Sequence, residues 1–211
     1  LSFYVAITRK SDCFLNYCSI SNSSISTYIT TENLVYNLAE DKFVPGNLLF
    51  ADYSALKITD GLTTSTIAGS STYTEGIRSG ARFDIVISFV QLSVAQVIVT
   101  DIGNHCLRSV NLTTNQTEPY AGNCTQAGDQ DGLDALVYNP MSIINDIKAP
   151  SQLFISQHCP YASLRSVNTI EKNVSTIFRN NLCFSNLVQQ PSTGNIFVAF
   201  NHGLGIYDLS E

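Results

Sequence analysis

The segment Leu-Arg-Ser-Val-Asn occurs twice in this chain, at 107–111 and 164–168, each time behind a short apolar run at nearly the same distance. Upstream of the first copy stands QVIVTDIGNHC (96–106), and upstream of the second QLFISQHCPYAS (152–163). The register extends to NLLFADYSALKITD (47–60), NIFVAFNHGLGIYDL (195–209) and SFYVAITRKSDCFLNYCSI (2–20). All five windows have one form: an apolar run, a polar loop of a few residues, then a second apolar run. A repeat of roughly 50 residues with several short strands per unit is the signature of a β-propeller.

Four of the windows are followed by a third apolar or Thr-rich run: STYIT (26–30), TSTIAG (64–69), QTEPYAG (116–122) and NVSTIF (173–178). β-branched and aromatic runs bounded by Gly, Asn, Asp and Ser read as strands. GARFDIVISF (80–89), DALVYNPMSIIND (134–146) and CFSNLVQQPSTG (183–194) supply the remaining strand of a four-stranded unit. Strands are lettered a to d from the propeller axis outwards. The expectation is an all-β chain of four-stranded antiparallel blades, with about five partial blades at 1–31, 32–70, 80–122, 134–179 and 183–211. The chain starts in a b strand and stops in a c strand, so both ends are expected to be incomplete.

The stretch from Val99 to Ile144 resembles an NHL repeat. It has an apolar strand ending in Asp101, then Gly103-Asn104-His105, Leu107-Arg108, Ala121-Gly122, Asp131-Gly132 and Asn139-Pro140. The preceding unit keeps FADYSALKITD, TIAG and EGIRSGARFD, with Tyr53-Ser54-Ala55 in place of the Gly-Asn-His corner. The following unit keeps LRSVN and a shifted His158 but loses Ala-Gly. The resemblance implies a six-bladed NHL-type propeller, of which these blades form part. A closed five-bladed ring is the alternative.

Hydrophobic residues make up 44% of the chain and charged residues 13%, enough apolar material for a sizeable core and too little charge for disorder. The net charge of −6 opposes phosphate backbones and excludes nucleic acid as a partner. Residues 83–100 are apolar, but Asp84, Gln91, Ser93 and Gln96 interrupt them, so a membrane span is not expected. Gln91–Gln96 instead reads as a turn between two strands.

Six cysteines and five N-glycosylation sequons point to the secretory pathway and an extracellular or cell-surface location. The sequons start at Asn22, Asn111, Asn115, Asn123 and Asn173. Asn22, Asn115 and Asn173 fall in c–d turns, at a propeller's outer rim. In an up-and-down blade the b–c and d–a loops share one face and the a–b and c–d turns the other. Cys106 and Cys124 share a blade and a face, as do Cys159 and Cys183, so these are the expected disulfides. Cys13 and Cys18 are either joined to each other, which needs an irregular strand, or paired to chain outside this sequence.

The three histidines, His105, His158 and His202, all lie in b–c loops of consecutive blades. They are weak candidates for a zinc site, because histidine belongs to the repeat's own corner. GDQDGLD (128–134) superficially resembles a calcium loop, with Asp129 and Asp131 in place but Ala127 unable to coordinate. No cofactor is expected. Asp52 and Asp101 occupy equivalent ends of b strands, and Lys57, Arg108 and Arg165 equivalent places on c strands; structural pairing is expected of them. No nucleophile elbow, phosphate loop or helical zinc motif is present.

These observations point to a secreted or surface-displayed structural scaffold without catalysis. It would bind a protein or glycan partner on the b–c/d–a face, with self-assembly in a coat, matrix or filament as one possibility. A metal-dependent lyase or hydrolase, similar to the NHL-like peptide-amidating lyases, is the alternative. An intracellular RNA-binding or ubiquitin-ligase NHL domain is disfavoured by charge, sequons and cysteines.

Overall fold

The apolar runs of the repeat are buried on both sides, and this fixes the architecture. A computed structural model describes residues 2–8, 13–19, 24–31, 34–69, 83–201 and 203–209, the first three strands by their backbone. Among these residues there are strands and no helices. The first sheet contains β1 (Ser2–Thr8), β2 (Cys13–Ser19) and β3 (Ser24–Thr31). The second contains β4 (Asn37–Glu40), β5 (Leu48–Ala51), β6 (Ala55–Thr59) and β7 (Thr64–Gly69). The third is β8 (Val86–Ser93), β9 (Gln96–Asp101), β10 (Cys106–Asn111) and β11 (Thr117–Ala121). The fourth is β12 (Pro140–Asn145), β13 (Gln152–Gln157), β14 (Ser163–Asn168) and β15 (Val174–Arg179). The fifth is β16 (Phe184–Gln189), β17 (Ile196–Phe200) and β18 (Gly203–Tyr207).

Every sheet is an antiparallel meander in sequence order. The a strand of each of the middle sheets packs on the a strand of the next: β4 on β8, β8 on β12, β12 on β16. The b strand of each sheet also meets the a strand of its successor, at β1–β4, β5–β8, β9–β12 and β13–β16. One relation repeated four times in succession is a rotation about a common axis, with the a strands innermost.

The cores lie between sheets. Leu49, Ala51 and Leu56 meet Val86, Phe89, Val97 and Val99 between the second and third. Ile98 and Leu107 meet Ile143, Leu153 and Ile155 between the third and fourth. Phe154 and Leu164 meet Phe184, Leu187, Ile196 and Val198 between the fourth and fifth. Alternate residues of β9 therefore enter opposite cores: Val97 and Val99 one, Ile98 the other. A strand buried on both faces reads as a continuous apolar run, which is why QVIVTD and QLFISQ do not alternate. On the face of the fifth sheet turned away from the fourth, Val188, Ile206 and Leu204 stand exposed. Val188 and Ile206 flank Phe197 in the ladder, which makes an apolar row across the sheet.

The repeat also sets the turns. Asp60, Asn111 and Asn168 each close a c–d turn by accepting the backbone N–H groups two and three residues on. At the b–c corner His105 takes a left-handed φ of 57° and Tyr53, its counterpart in the second sheet, 72°. A Cβ at Gly103 would run into the Asp84 carboxylate, so this corner needs glycine.

Two expectations are corrected by this arrangement. Gln91 is not in a turn: β8 runs on to Ser93 and the hairpin turn is Val94-Ala95. Gln91 is buried in the strand because its amide is fully engaged across the sheet boundary. Its Oε1 accepts the Lys42 N–H at 2.9 Å and its Nε2 donates to Asp41 Oδ1 at 2.9 Å. The fifth sheet repeats this clasp, with Gln189 accepting from Ile147 N–H at 2.8 Å and donating to Asp146 at 3.0 Å.

The second correction concerns Cys13–Cys18. Both lie on the backbone of β2, paired with Thr8 and Phe3 of β1 in an unbroken register. Five strand residues span about 16 Å, whereas a disulfide requires Cα atoms within about 7 Å. A bridge between these two cysteines does not fit the strand; their side chains lie outside the described residues. The same is true of the whole of Asn22, of His202 and of residues 75–76.

Candidate binding face

The b–c and d–a loops of the third and fourth sheets converge on one face and are stapled there. Cys106, at the start of β10, is bonded to Cys124 in the loop after β11. Cys159, in the β13–β14 loop, is bonded to Cys183, just before β16. Each bridge joins a b–c segment to the d–a loop of the same sheet, so both sit on this face.

A line of rings lies between the staples. His105 stacks on Tyr138 with centroids 5.1 Å apart, and Tyr138 meets the Tyr161 ring edge-on at 5.4 Å. Over the second sheet Tyr36 and Tyr53 pair at 6.1 Å. Tyr36, Tyr53 and Tyr161 are each 45–46% exposed, a large amphipathic surface at low entropic cost. Tyr161 and Tyr36 carry no repeat signature, so nothing in the sequence singles them out. Tyr138 stands before Asn139-Pro140 in the repeat pattern and could have been found there.

Of the three histidines, His105 and His158 lie among the described residues, and each is engaged by Asn139. His105 Nδ1 faces the Asn139 N–H at 3.4 Å, and the ring is held by Tyr138. His158 approaches the same residue through its backbone, donating its N–H to the Asn139 carbonyl at 3.2 Å. No group of three His, Cys, Asp or Glu side chains among the described residues is placed to hold an ion.

The Asp–basic pairs of the repeat are structural. Lys57 pairs with Asp52 at 2.5 Å and Arg108 with Asp101 at 3.2 Å, both carboxylates fully buried. Asp101 also accepts the Asp84 N–H and the Asn104 amide, each at 2.9 Å. Burial pushes its carboxyl above the usual range against these donors and Arg108. In the fourth sheet Gln157 replaces the b-strand carboxylate, and Arg165 draws its counter-charges from the GDQDGLD loop instead. Arg165 is fully buried and donates to Gln157, to the Leu136 and Gln130 carbonyls, and to Asp131 at 2.7 Å. Asp129 lies 3.6 Å from Arg165 and accepts from Arg179 Nε at 2.8 Å. Desolvation lowers the Arg165 pKa, countered by Asp131 and Asp129. Both loop carboxylates face guanidinium groups, so these residues do not fit calcium. They replace a missing strand carboxylate.

The axis is polar. Asn37, Ser88, Ser142 and Asn186 stand at matching places on β4, β8, β12 and β16. Asn37 donates to Ser88 at 3.3 Å and Ser142 to Asn186 at 3.0 Å. Ser88 and Ser142 each accept a backbone N–H from the next sheet, from Ile143 and Leu187. A cavity of about 600 Å³ is lined by this belt with Ile87, Met141 and Val188. It contains no nucleophile–base pair.

The sequons occupy both faces. Asn111 and Asn115 are exposed and Asn173 half-exposed, all in c–d turns. Asn123 is exposed in the d–a loop beside Cys124, and its side-chain oxygen accepts from both the N–H and the hydroxyl of Thr125.

No protein-family model and no curated protein matches this chain. Solved structures do. The chain is similar to one in a crystal structure of a nidogen/laminin complex, with a TM-score of 0.67 and 11% identity over 94% of this chain and 68% of that one. It is similar to a putative phosphatase from Bacteroides thetaiotaomicron, with a TM-score of 0.66 and 13% identity over 93% of this chain and 54% of that one. The extracellular domain of a putative one-component system from the same species gives a TM-score of 0.62 and 12% identity, covering 97% of this chain and 25% of that one. The chain thus spans about half of the phosphatase and a quarter of the one-component-system domain. At this identity the likeness is one of fold alone. Its sheets, packed in series about an axis with their meanders running outwards, make this chain a β-propeller.

Proposed function

We propose that this chain is a secreted or cell-surface binding module of NHL type, N-glycosylated at its c–d turns, which engages a protein or glycan partner through the b–c/d–a face. The observation that carries this reading is the pairing of exposed tyrosines with loops stapled by two disulfides to a buried sheet scaffold. Rigid aromatic groups on fixed loops are what a recognition surface requires. The disulfides favour an oxidising compartment, and the solved structures with similar folds include an extracellular domain. The Val99–Ile144 motif supports the NHL type, and the exposed apolar row on the fifth sheet supports packing against a further sheet.

This reading assigns the module no catalysis of its own, and it is supported by the repeat's Asp52, Asp101, Asp129 and Asp131 being engaged by Lys57, Arg108, Arg165 and Arg179. A metal-dependent lyase remains the second reading, favoured only by the b–c placement of the histidines. Stoichiometric zinc or calcium in the purified protein, with activity lost on His105→Ala, would establish it instead.

A photo-crosslinking residue placed at position 53, and a second at 62 in the opposite c–d turn, tests the binding face. Protein recovered from its own extracellular environment should carry discrete adducts at 53 and none at 62. The reverse pattern would overturn the assignment of faces, as would a glycan at Asn123 with Asn115 and Asn173 unmodified.

A further inference from the structure

A groove of about 350 Å³ opens over the fourth sheet, between the β13–β14 loop and the end of β15. It is lined by Pro160 and Tyr161 from the loop, by Arg179, Asn180 and Asn181, and by Asp129. We propose that it is a subsite for a neutral sugar, a pyranose residue at the end of a glycan. The proposal rests on the reading of this face as the binding face and names one ligand class for it.

Three features carry it. The first is charge. Asp129, Asp131, Arg165 and Arg179 form one contiguous network, in which two carboxylates face two guanidiniums. The groove therefore has no net charge with which to attract an anion or a cation, and a neutral polar ligand fits it.

The second is the uncommitted hydrogen-bonding capacity. Arg179 donates Nε to Asp129 at 2.8 Å and Nη2 to the Asp129 carbonyl at 3.4 Å, leaving Nη1 without an acceptor among the described residues. Asn180 Oδ1 accepts the Asn181 and Leu182 N–H groups, so its amide hydrogens remain available. The Asn181 amide and the Tyr161 hydroxyl have no partner among the described residues. A row of donors with an acceptor between them suits adjacent hydroxyls, each of which both donates and accepts.

The third is the platform. Tyr138 braces the Tyr161 ring edge-on, and the Tyr161 carbonyl accepts from buried Gln157 Nε2 at 3.3 Å. The Cys159–Cys183 bridge ties this loop to the segment that follows Asn181. The ring is thus held in place before any ligand arrives, with an open side for the apolar C–H face of a pyranose.

Saturation-transfer NMR on the whole chain, with methyl glycosides of the common neutral hexoses and a methyl sialoside as charged control, tests the proposal. At least one neutral glycoside should show transfer and the sialoside none. Affinity should fall by about tenfold or more in Tyr161→Ala and in Asn181→Ala. Asn181 is exposed and supports no other side chain, so its variant guards against misfolding. Leu62→Ala, in the exposed c–d turn of the second sheet on the opposite face, should bind as the parent does. Absence of transfer from every neutral glycoside, equal binding of the sialoside, or undiminished binding by Tyr161→Ala would overturn the sugar subsite. Crosslinking at position 53 would still stand in those cases, so failure of the subsite and failure of the binding face give different results.

Discussion

Asp131 and Arg165 meet at 2.7 Å across 34 residues of sequence, and the contact substitutes for an aspartate that the fourth sheet lacks. In the second and third sheets the basic residue of the c strand answers Asp52 or Asp101 on the neighbouring b strand. Where Gln157 stands instead, the buried guanidinium would have no counter-charge within its own sheet. Loss of the guanidinium would leave the Leu136 and Gln130 carbonyls and the buried Gln157 oxygen without their donor and open a cavity in the sheet. Arg165→Ala should lower unfolding free energy by about 2–5 kcal/mol, read from urea denaturation. Asp131→Asn, at a half-exposed group, should cost much less.

The same carboxylate sets part of the acid stability. Desolvation alone would raise the Asp131 pKa, but the Thr176 N–H and hydroxyl and the Arg165 guanidinium together hold it below the usual value of 3.8. A carboxyl depressed in the fold stabilises above its unfolded pKa, and that stability is lost as pH falls through the folded value. The affected window lies below about pH 4. Asp131→Asn should therefore lose less stability than the parent on acidification through this range. Thermal melts between about pH 4 and pH 2 would show it; parallel curves would refute the assignment. Asp101 acts in the opposite sense, since burial favours its protonated form in the fold.

Each disulfide closes a short loop, of 18 residues for Cys106–Cys124 and 24 for Cys159–Cys183. By the loop-entropy model each is worth about 3 kcal/mol. Replacing either pair by alanine should lower the unfolding midpoint by a comparable amount in both cases. A null effect for one pair would mean that its loops are already ordered without the bridge.

Gln91 is the test of the sheet boundary. Gln91→Ala removes a donor from buried Asp41 and an acceptor from the Lys42 N–H, and should cost about 1–3 kcal/mol. Gln116→Ala, in an exposed turn, is the matched control and should change nothing measurable. Equal effects would show that the clasp makes no contribution.

What the sequence disclosed, and what it hid, follows from how each feature is encoded. The strands, their order and the two disulfide pairs were legible because the repeat places equivalent residues at equivalent stations. LRSVN appears twice, and both copies are c strands. Gln91 was misread because a lone glutamine in an apolar run looks like a turn, and its partners lie 50 residues upstream in another sheet. The Asp129–Asp131 loop looked like an ion site for a similar reason: nothing local announces that Gln157 has displaced a carboxylate. Tyr161 comes from the β13–β14 loop and Arg179 from the end of β15, both outside the repeat pattern, so their meeting is visible only in three dimensions.

The clasps of Gln91 to Asp41 and of Gln189 to Asp146 give each half of a joint to a different sheet. The third and fourth sheets together run from Gln91 to Asp146, so a tandem copy of that pair would set an aspartate against a glutamine at the new seam. Removal of the third sheet alone would strand Asp41, and removal of the fourth alone would strand Gln189.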